Sequence, residues 1–512
     1  MINKKGLTLV ELLAVIILLG LISAAIAVPI VSLIGKNSAK LNEATLKTLY
    51  STTELYMEKY SNTYKKIDGN IYYITMEQLI ENDFLDKDYL NAFNDKTLSK
   101  NTQIKVTVNS GEYAYEISTN QINNIKNKYD SLDISSTYNY NDGTYIMGTN
   151  ENNYVQYNGF IWRIMGVNSD GTIRLVMDEL ATSLIYSDSI GYDQSYVREW
   201  LNNYFVSRLK FNDIIKKESW YYNAPASASN TTIDKTISVK DSVGLISVEE
   251  FNLSLVSSTS YLKGQPYGLL NQRGTYFYTT VNSSKVPASS NITTAIFVKP
   301  VINIFASTVV VDGTGTSSSP FILNESNSVN ANRSLKAANI AVGSYIRMDS
   351  KLYRVVNKES DRLKLISYDY LGVNAIYAST IFNTTNGVGK TLSTATLSNK
   401  FLNDNVFVGD PYIAGSNYKN TVFKKKNIVS NVKASVPVLG EIMTTSMYPA
   451  SRHTGCYWAI NNCSNSTAYA ICSTSASVSS ISTSLPIIYT GYISTTNVIS
   501  SGVGTATSPY QI

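Results

Sequence analysis

The sequence predicts an α+β protein: a long N-terminal helix packed on a small antiparallel sheet, followed by two homologous β-rich α+β modules. Three observations predict it. An apolar run from Leu7 to Ile34 leads into an amphipathic stripe that reaches Tyr60. The segment IKVTVNSGEYAYEI alternates apolar and polar residues around Asn109-Ser110-Gly111, the signature of a hairpin. The second half then repeats itself at a spacing of 189 to 192 residues.

Composition sets the bounds. A chain of 512 residues exceeds one ordinary domain, and 44% hydrophobic against 16% charged residues makes it globular rather than disordered. A mean hydropathy of -0.08 excludes a polytopic membrane protein. Lys and Arg number 43 against 38 Asp and Glu, a mild excess. No basic block or basic helix is present, so DNA is a disfavoured partner. The 38 tyrosines suit β-rich surfaces that meet other molecules. His453 is the one histidine, which excludes every scheme needing two imidazoles. The three cysteines, Cys456, Cys463 and Cys472, are clustered, so no disulfide framework spans the chain.

The first element is the apolar run, 28 residues whose sole charge is Glu11. A helix of about 20 such residues crosses a bilayer core. Lys4 and Lys5 precede it and orient the amino terminus to the cytoplasm. A secretory signal peptide has a shorter apolar core of about 7–15 residues and no reason to keep an acid. A charged residue at mid-membrane costs roughly 2.5–3.5 kcal/mol on insertion scales, so Glu11 is read as functional.

KKGLTLVELLAVIILLG resembles the class III signal of type IV pilins and pseudopilins: a short basic leader ending in glycine, then an apolar helix whose fifth residue is Glu. Residues 1–6 match the leader and 7–34 the transmembrane and polymerisation helix. Pro29 lies near the helix-loosening proline of that family. The resemblance implies cleavage between Gly6 and Leu7 by a prepilin peptidase, N-methylation of Leu7 and an inner-membrane assembly platform. It also implies other pilin subunits as partners. In the filament Glu11 would neutralise the freed amine of a neighbour's Leu7, two charges tolerable only as a pair. The chain would sit in the cytoplasmic membrane as prepilin, then in an extracellular filament. Many members begin the mature chain with Phe; this one begins with Leu7, which bears on the methylation.

A globular domain over 35–118 is expected next. Ile34, Leu41, Thr45, Leu49, Thr52, Tyr56 and Tyr60 form the helical stripe. Thr75 and Gln78 have the spacing of a capping box before a short helix, and the hairpin follows. Residues 119–140 are polar and read as a linker.

Two modules, 141–323 and 341–512, flank a second linker at 324–340. Arg163 precedes Arg354 by 191 residues, Glu249 precedes Glu441 by 192, and Pro320 precedes Pro509 by 189. Each module opens with short alternating strands, then a brief helix such as 195–209, then a Gly/Ser/Thr/Tyr-rich half with strand signals. The order W-R, R-x-W-L-N-N, K-P-V-I-N-I resembles a domain family of unknown function in Gram-positive secreted proteins, distantly similar to C-type-lectin and sulfatase-modifying folds. That implies a fold and no activity. Trp162, Trp200 and Pro300 are expected as core and turn residues.

No motif carries catalysis. TTNGVGKT places Thr384 where a phosphate loop needs glycine and reads as a loop. His453 and Cys456 lack an orienting partner for a nucleophilic dyad. One local disulfide, Cys456–Cys463 for instance, is the expected use of the cysteines. Acidic-Asn turns such as DKDYLNAFND lack EF-hand spacing. No metal and no cofactor is expected, and the chain reads as a structural and binding protein rather than an enzyme. Within that resemblance, the bulk of the modules favours a minor or tip pilin whose tandem modules bind an unassigned surface, glycan or protein ligand for adhesion. The alternatives are a major pilin with large subunits, or a pseudopilin of a type II secretion or DNA-uptake machine.

Overall fold

A computed structural model describes residues 43–90, 98–118, 123–187, 189–264, 266–280, 286–292, 295–324, 332–374, 387–407, 428–437, 456–464, 467–471, 476–480 and 482–512. The chain is predominantly β, with short helices between strands. This corrects the expected long N-terminal helix. The first described helix is Glu43–Lys59, 17 residues long, and no helix among the described residues is long and apolar enough to cross a membrane. The expected transmembrane helix and membrane-anchored location therefore have no counterpart among the described helices. The predicted span 7–34, with Gly6, Leu7, Glu11 and Pro29, lies outside the described residues.

Local chemistry explains the base, residues 43–118. Leu49, Thr52 and Tyr56 are buried, as the stripe requires. The strand Ile71–Thr75 pairs antiparallel with Gln103–Asn109, which pairs with Glu112–Ser118 across the Asn109-Ser110-Gly111 turn. Thr75 and Gln78 form the capping box that starts the helix Met76–Glu81.

The stretch read as the first linker folds instead. Asn124 caps the helix Ile125–Asp130, whose Ile125 and Tyr129 are buried, and the strand Thr137–Tyr140 pairs with Gly143–Ile146. The second expected linker also reaches the core, through Leu335 and Ile340.

Both modules carry a sheet of one design. In the first, the order is Val301–Ile304, Ile173–Met177, Phe160–Val167, Tyr154–Tyr157, Phe321–Leu323, with the last pair parallel. In the second it is Thr490–Ser494, Arg362–Ser367, Lys351–Lys358, Tyr345–Met348, Tyr510–Gln511, again with the last pair parallel. A register shift interrupts the second-to-third pairing in both, at Ile164/Gly166 and at Val355/Asn357. The closing loops also match: Gly315 N–H donates to Ser319 O at 2.9 Å and Gly504 N–H to Ser508 O at 2.9 Å. In the first module Trp162 and Trp200 are fully buried.

GVGKT does not form a loop. Gly387–Thr394 is a helix, held by Val388 and Leu392 one turn apart and both buried. The tyrosines also depart from expectation. Tyr56, Tyr64, Tyr72, Tyr145, Tyr186, Tyr192 and Tyr267 are among the most completely buried large side chains. Several hydroxyls are satisfied internally; that of Tyr186 donates to Leu270 O at 2.9 Å.

Base and first module share one apolar cluster, which Val356, Ile366 and Ile488 of the second module also join. Its polar centre is Asp213, which reaches back from the module. The hydroxyl of Tyr64 donates to Asp213 Oδ2 at 2.6 Å, the hydroxyl of Tyr56 donates to the same oxygen, and Gln78 Nε2 donates at 3.2 Å. Burial outweighs these donors and holds the Asp213 carboxyl above its usual range. The folded state thus keeps this proton more tightly than the unfolded chain. The stability it contributes is fully present below the unfolded pKa, about 4, and is lost as pH rises through the raised native value. Asp213→Asn is expected to flatten stability against pH above about pH 4. Denaturant melts at stepped pH check this; a variant that keeps the wild-type slope contradicts it.

Candidate functional site

The first module holds a cavity of about 100 Å³ at the end of its sheet. It is built around a buried charge pair. Arg174, the second residue of the strand Ile173–Met177, reaches Glu250 of the helix Val248–Leu253. Its Nε lies 2.7 Å from Glu250 Oε1, and its Nη2 donates to Glu250 Oε2 at 3.1 Å. Glu250 is fully buried and fixed by its own helix start: Ser247 N–H donates to Glu250 Oε2 at 3.0 Å, and Glu250 N–H donates to Ser247 Oγ at 3.1 Å. Burial opposes the guanidinium charge, but Glu250 beside it more than offsets that, so Arg174 holds its proton more firmly than usual. The guanidinium also lies 4.5 Å from the Trp220 ring.

Asn303 is the second element. It sits directly across from Arg174 in the adjoining strand and is fully buried. Its side-chain oxygen accepts from Asn168 Nδ2 at 2.9 Å and from Arg174 Nη1 at 3.3 Å. Its Nδ2 makes no hydrogen bond within the protein. The amide is therefore fixed with acceptor spent and donor unspent.

Carboxylates complete the rim. Lys216 Nζ bonds Asp170 Oδ2 at 2.7 Å and stands 3.8 Å from Glu218 Oε1. Burial pushes Asp170 up, but the bonds from Lys216 and Thr172 draw it down to about 2. Glu218 moves the other way, raised first by burial and then by Asp170. Its Oε1 is buried and makes no hydrogen bond within the protein. Tyr140, Tyr145, Trp220 and Leu270 supply the apolar wall.

In the second module the matching register pair is Lys364 and Tyr492. The buried Tyr492 ring lies 5.1 Å from Lys364 Nζ and 4.2 Å from the Arg362 guanidinium, and its hydroxyl donates to Glu359 Oε1 at 3.2 Å. A tyrosine ring thus stands where the first module has an asparagine. The modules share a sheet but not a site.

The repeated arginines have also diverged. Arg163 stays within its module, donating from Nε to Asn153 Oδ1 at 2.6 Å. Arg354 crosses to the first module. It lies between the rings of Phe160 (4.9 Å) and Tyr345 (4.7 Å) and donates to Glu179 Oε2 at 2.8 Å and Gly343 O at 2.8 Å. Around it the backbones nearly touch: a Cβ on Gly159, at φ +72, would lie 2.4 Å from Ser344 N.

The residues singled out from sequence fall elsewhere. His453 lies outside the described residues with Gly6, Leu7, Glu11 and Pro29. Cys456 is disulfide-bonded. Cys463 lies on the adjoining strand Tyr457–Ser464. Cys472 lies outside the described residues. Among the described residues no group of three or more His, Cys, Asp and Glu could hold a metal. Sequence reasoning missed Asn303, Arg174, Glu218 and Glu250. A signal existed for Asn303, a lone amide inside the apolar strand VINI. No family model, no curated protein and no solved structure matches the chain.

Proposed function

We propose that this chain is a structural display subunit of the type IV pilin class. A prepilin peptidase cuts it between Gly6 and Leu7, and it joins other pilin subunits at an assembly platform, carrying two tandem modules for adhesion. The observation that carries the reading is the spacing of glycine, apolar residue and fifth-position acid in GLTLVE. Cleavage after Gly6 frees an amine on Leu7, and Glu11 of a neighbouring copy neutralises it. Either charge alone among apolar side chains is costly, and the pair fixes the register between subunits. The kinship to pilins lies in this signal and not in the fold, which is β-rich.

The joined architecture supports the display part of the reading. Asp213 ties the base to the first module and Arg354 ties the first module to the second, so all three would be presented as one body. The bulk of the modules favours a minor or tip position, because a helical shaft must fit every head beside its neighbours. Glu11→Ala is expected to be cleaved normally but to lower filament yield about tenfold or more, the scale of losing one partner of a buried pair. Filament shearing and quantification check this, and wild-type yield from the variant contradicts it.

A further inference from the structure

We propose that the cavity of the first module binds an acetamido group, the planar amide of N-acetylated amino sugars and, in primary form, of glutamine and asparagine side chains. The inference deepens the display reading by naming the chemistry the first module would take, and it rests on that reading only for its biological meaning.

Size sets the first limit. A cavity of about 100 Å³ exceeds the ~30 Å³ share of one water and falls short of the ~150 Å³ that holds benzene. A group of four heavy atoms fits inside; a whole sugar ring stays outside with only its substituent inserted. Polarity sets the second. Asn303 Nδ2 is a donor without a partner, held by the two bonds on its own oxygen, and Glu218 Oε1 is an acceptor without a hydrogen bond. A secondary or primary amide presents the converse pair, its C=O accepting from Asn303 and its N–H donating to Glu218. An isolated hydroxyl meets one of the two. The rings of Tyr140 and Tyr145 with Leu270 offer the apolar surface a methyl or methylene needs.

Charge sets the third. Arg174 and Lys216 are matched by Asp170, Glu218 and Glu250, so the site has no cationic surplus to favour an anion. The second module provides an internal contrast, since Tyr492 occupies the position of Asn303.

The test is saturation-transfer NMR on the purified full-length chain, read without regard to cleavage or assembly. The probes are N-acetylglucosamine, free acetamide, a glutamine-bearing tripeptide, glucosamine and glucose. The acetyl methyl of N-acetylglucosamine should take up the strongest saturation, acetamide should compete for it, and glucose and glucosamine should stay silent. Signal from the tripeptide alone supports the amide chemistry and assigns a peptide source; signal from the sugar alone assigns a glycan source. Glu218→Gln and Asn303→Asp should each weaken binding about tenfold, the scale of one hydrogen bond to a charged or fixed buried group. Glu218 stands at the rim, so an unchanged unfolding midpoint for Glu218→Gln verifies its fold. Silence from all three amide probes, glucose signal equal to that of N-acetylglucosamine, or full affinity in Glu218→Gln overturns the proposal. Such a failure leaves processing at Leu7 untouched, and an uncleaved chain leaves binding untouched.

Discussion

Glu250→Ala is expected to destabilise the chain by about 3–5 kcal/mol, because it strands the Arg174 guanidinium inside the first module. Arg174 has almost no route to water: its side chain is 9% exposed and that of Glu250 0%. Removing the carboxylate leaves a charge facing the Trp220 ring and a single side-chain amide, Asn303. The same substitution takes the reciprocal cap from the helix Val248–Leu253, a further loss of about 1 kcal/mol. The sign reverses when both charges go. In Arg174→Met with Glu250→Leu no ion remains to be desolvated, and most of the lost stability should return. Denaturant unfolding of the two variants checks this, with the midpoint read at constant slope. A double variant no more stable than Glu250→Ala contradicts it.

Arg354→Met is expected to cost about 2–3 kcal/mol and to uncouple the modules. The cost is below that of Glu250→Ala because the abandoned Glu179 side chain is 28% exposed and rehydrates. The larger effect is on cooperativity. The second module has its own apolar cluster around Ile346, Val355 and Ile493, while its Val356, Ile366 and Ile488 pack into the cluster of base and first module. Arg354 is a buried polar tie across the junction, reaching Glu179 and lying against Phe160, beside the bonds of Arg333 to Asn70 at 2.6 Å and of Lys210 to Asn339 O at 3.3 Å. Without it the coupling falls to the apolar contacts and the remaining bonds, so the calorimetric transition should broaden or split where the native chain shows closer coupling. Arg163→Met, the matching position in the first module, should lower stability without splitting the transition, since its partners Asn153 and Asp178 lie within that module. Equal splitting in both variants contradicts a junction role for Arg354.

Local chemistry was legible in the sequence and distant chemistry was not. The hairpin 103–118 and the Thr75–Gln78 cap need only neighbours in the chain to form, and both stand where alternation and spacing place them. The helix Gly387–Thr394 was misread because two glycines masked the Val388 and Leu392 pair that anchors it. The tyrosines were misplaced for a related reason. Composition records a ring with a wet hydroxyl, but burial depends on whether a carbonyl waits inside, as Leu270 O does for Tyr186. Arg163 and Arg354 were visible as one repeated position. Their destinations were hidden, because the partners of Arg354 come from the other module. The cavity was the least legible feature, since Asn303 meets Arg174 from 129 residues away and gains its meaning only from that register.

In the proposed reading, residues 1–6 are a leader whose removal exposes an amine for Glu11 of a neighbouring copy to meet. Intact-mass and N-terminal peptide spectrometry of the native protein tests it directly. The expected product is a mature chain starting at Leu7, with or without one added methyl group. A native chain that keeps Met1, or one cut near Ala27, contradicts it.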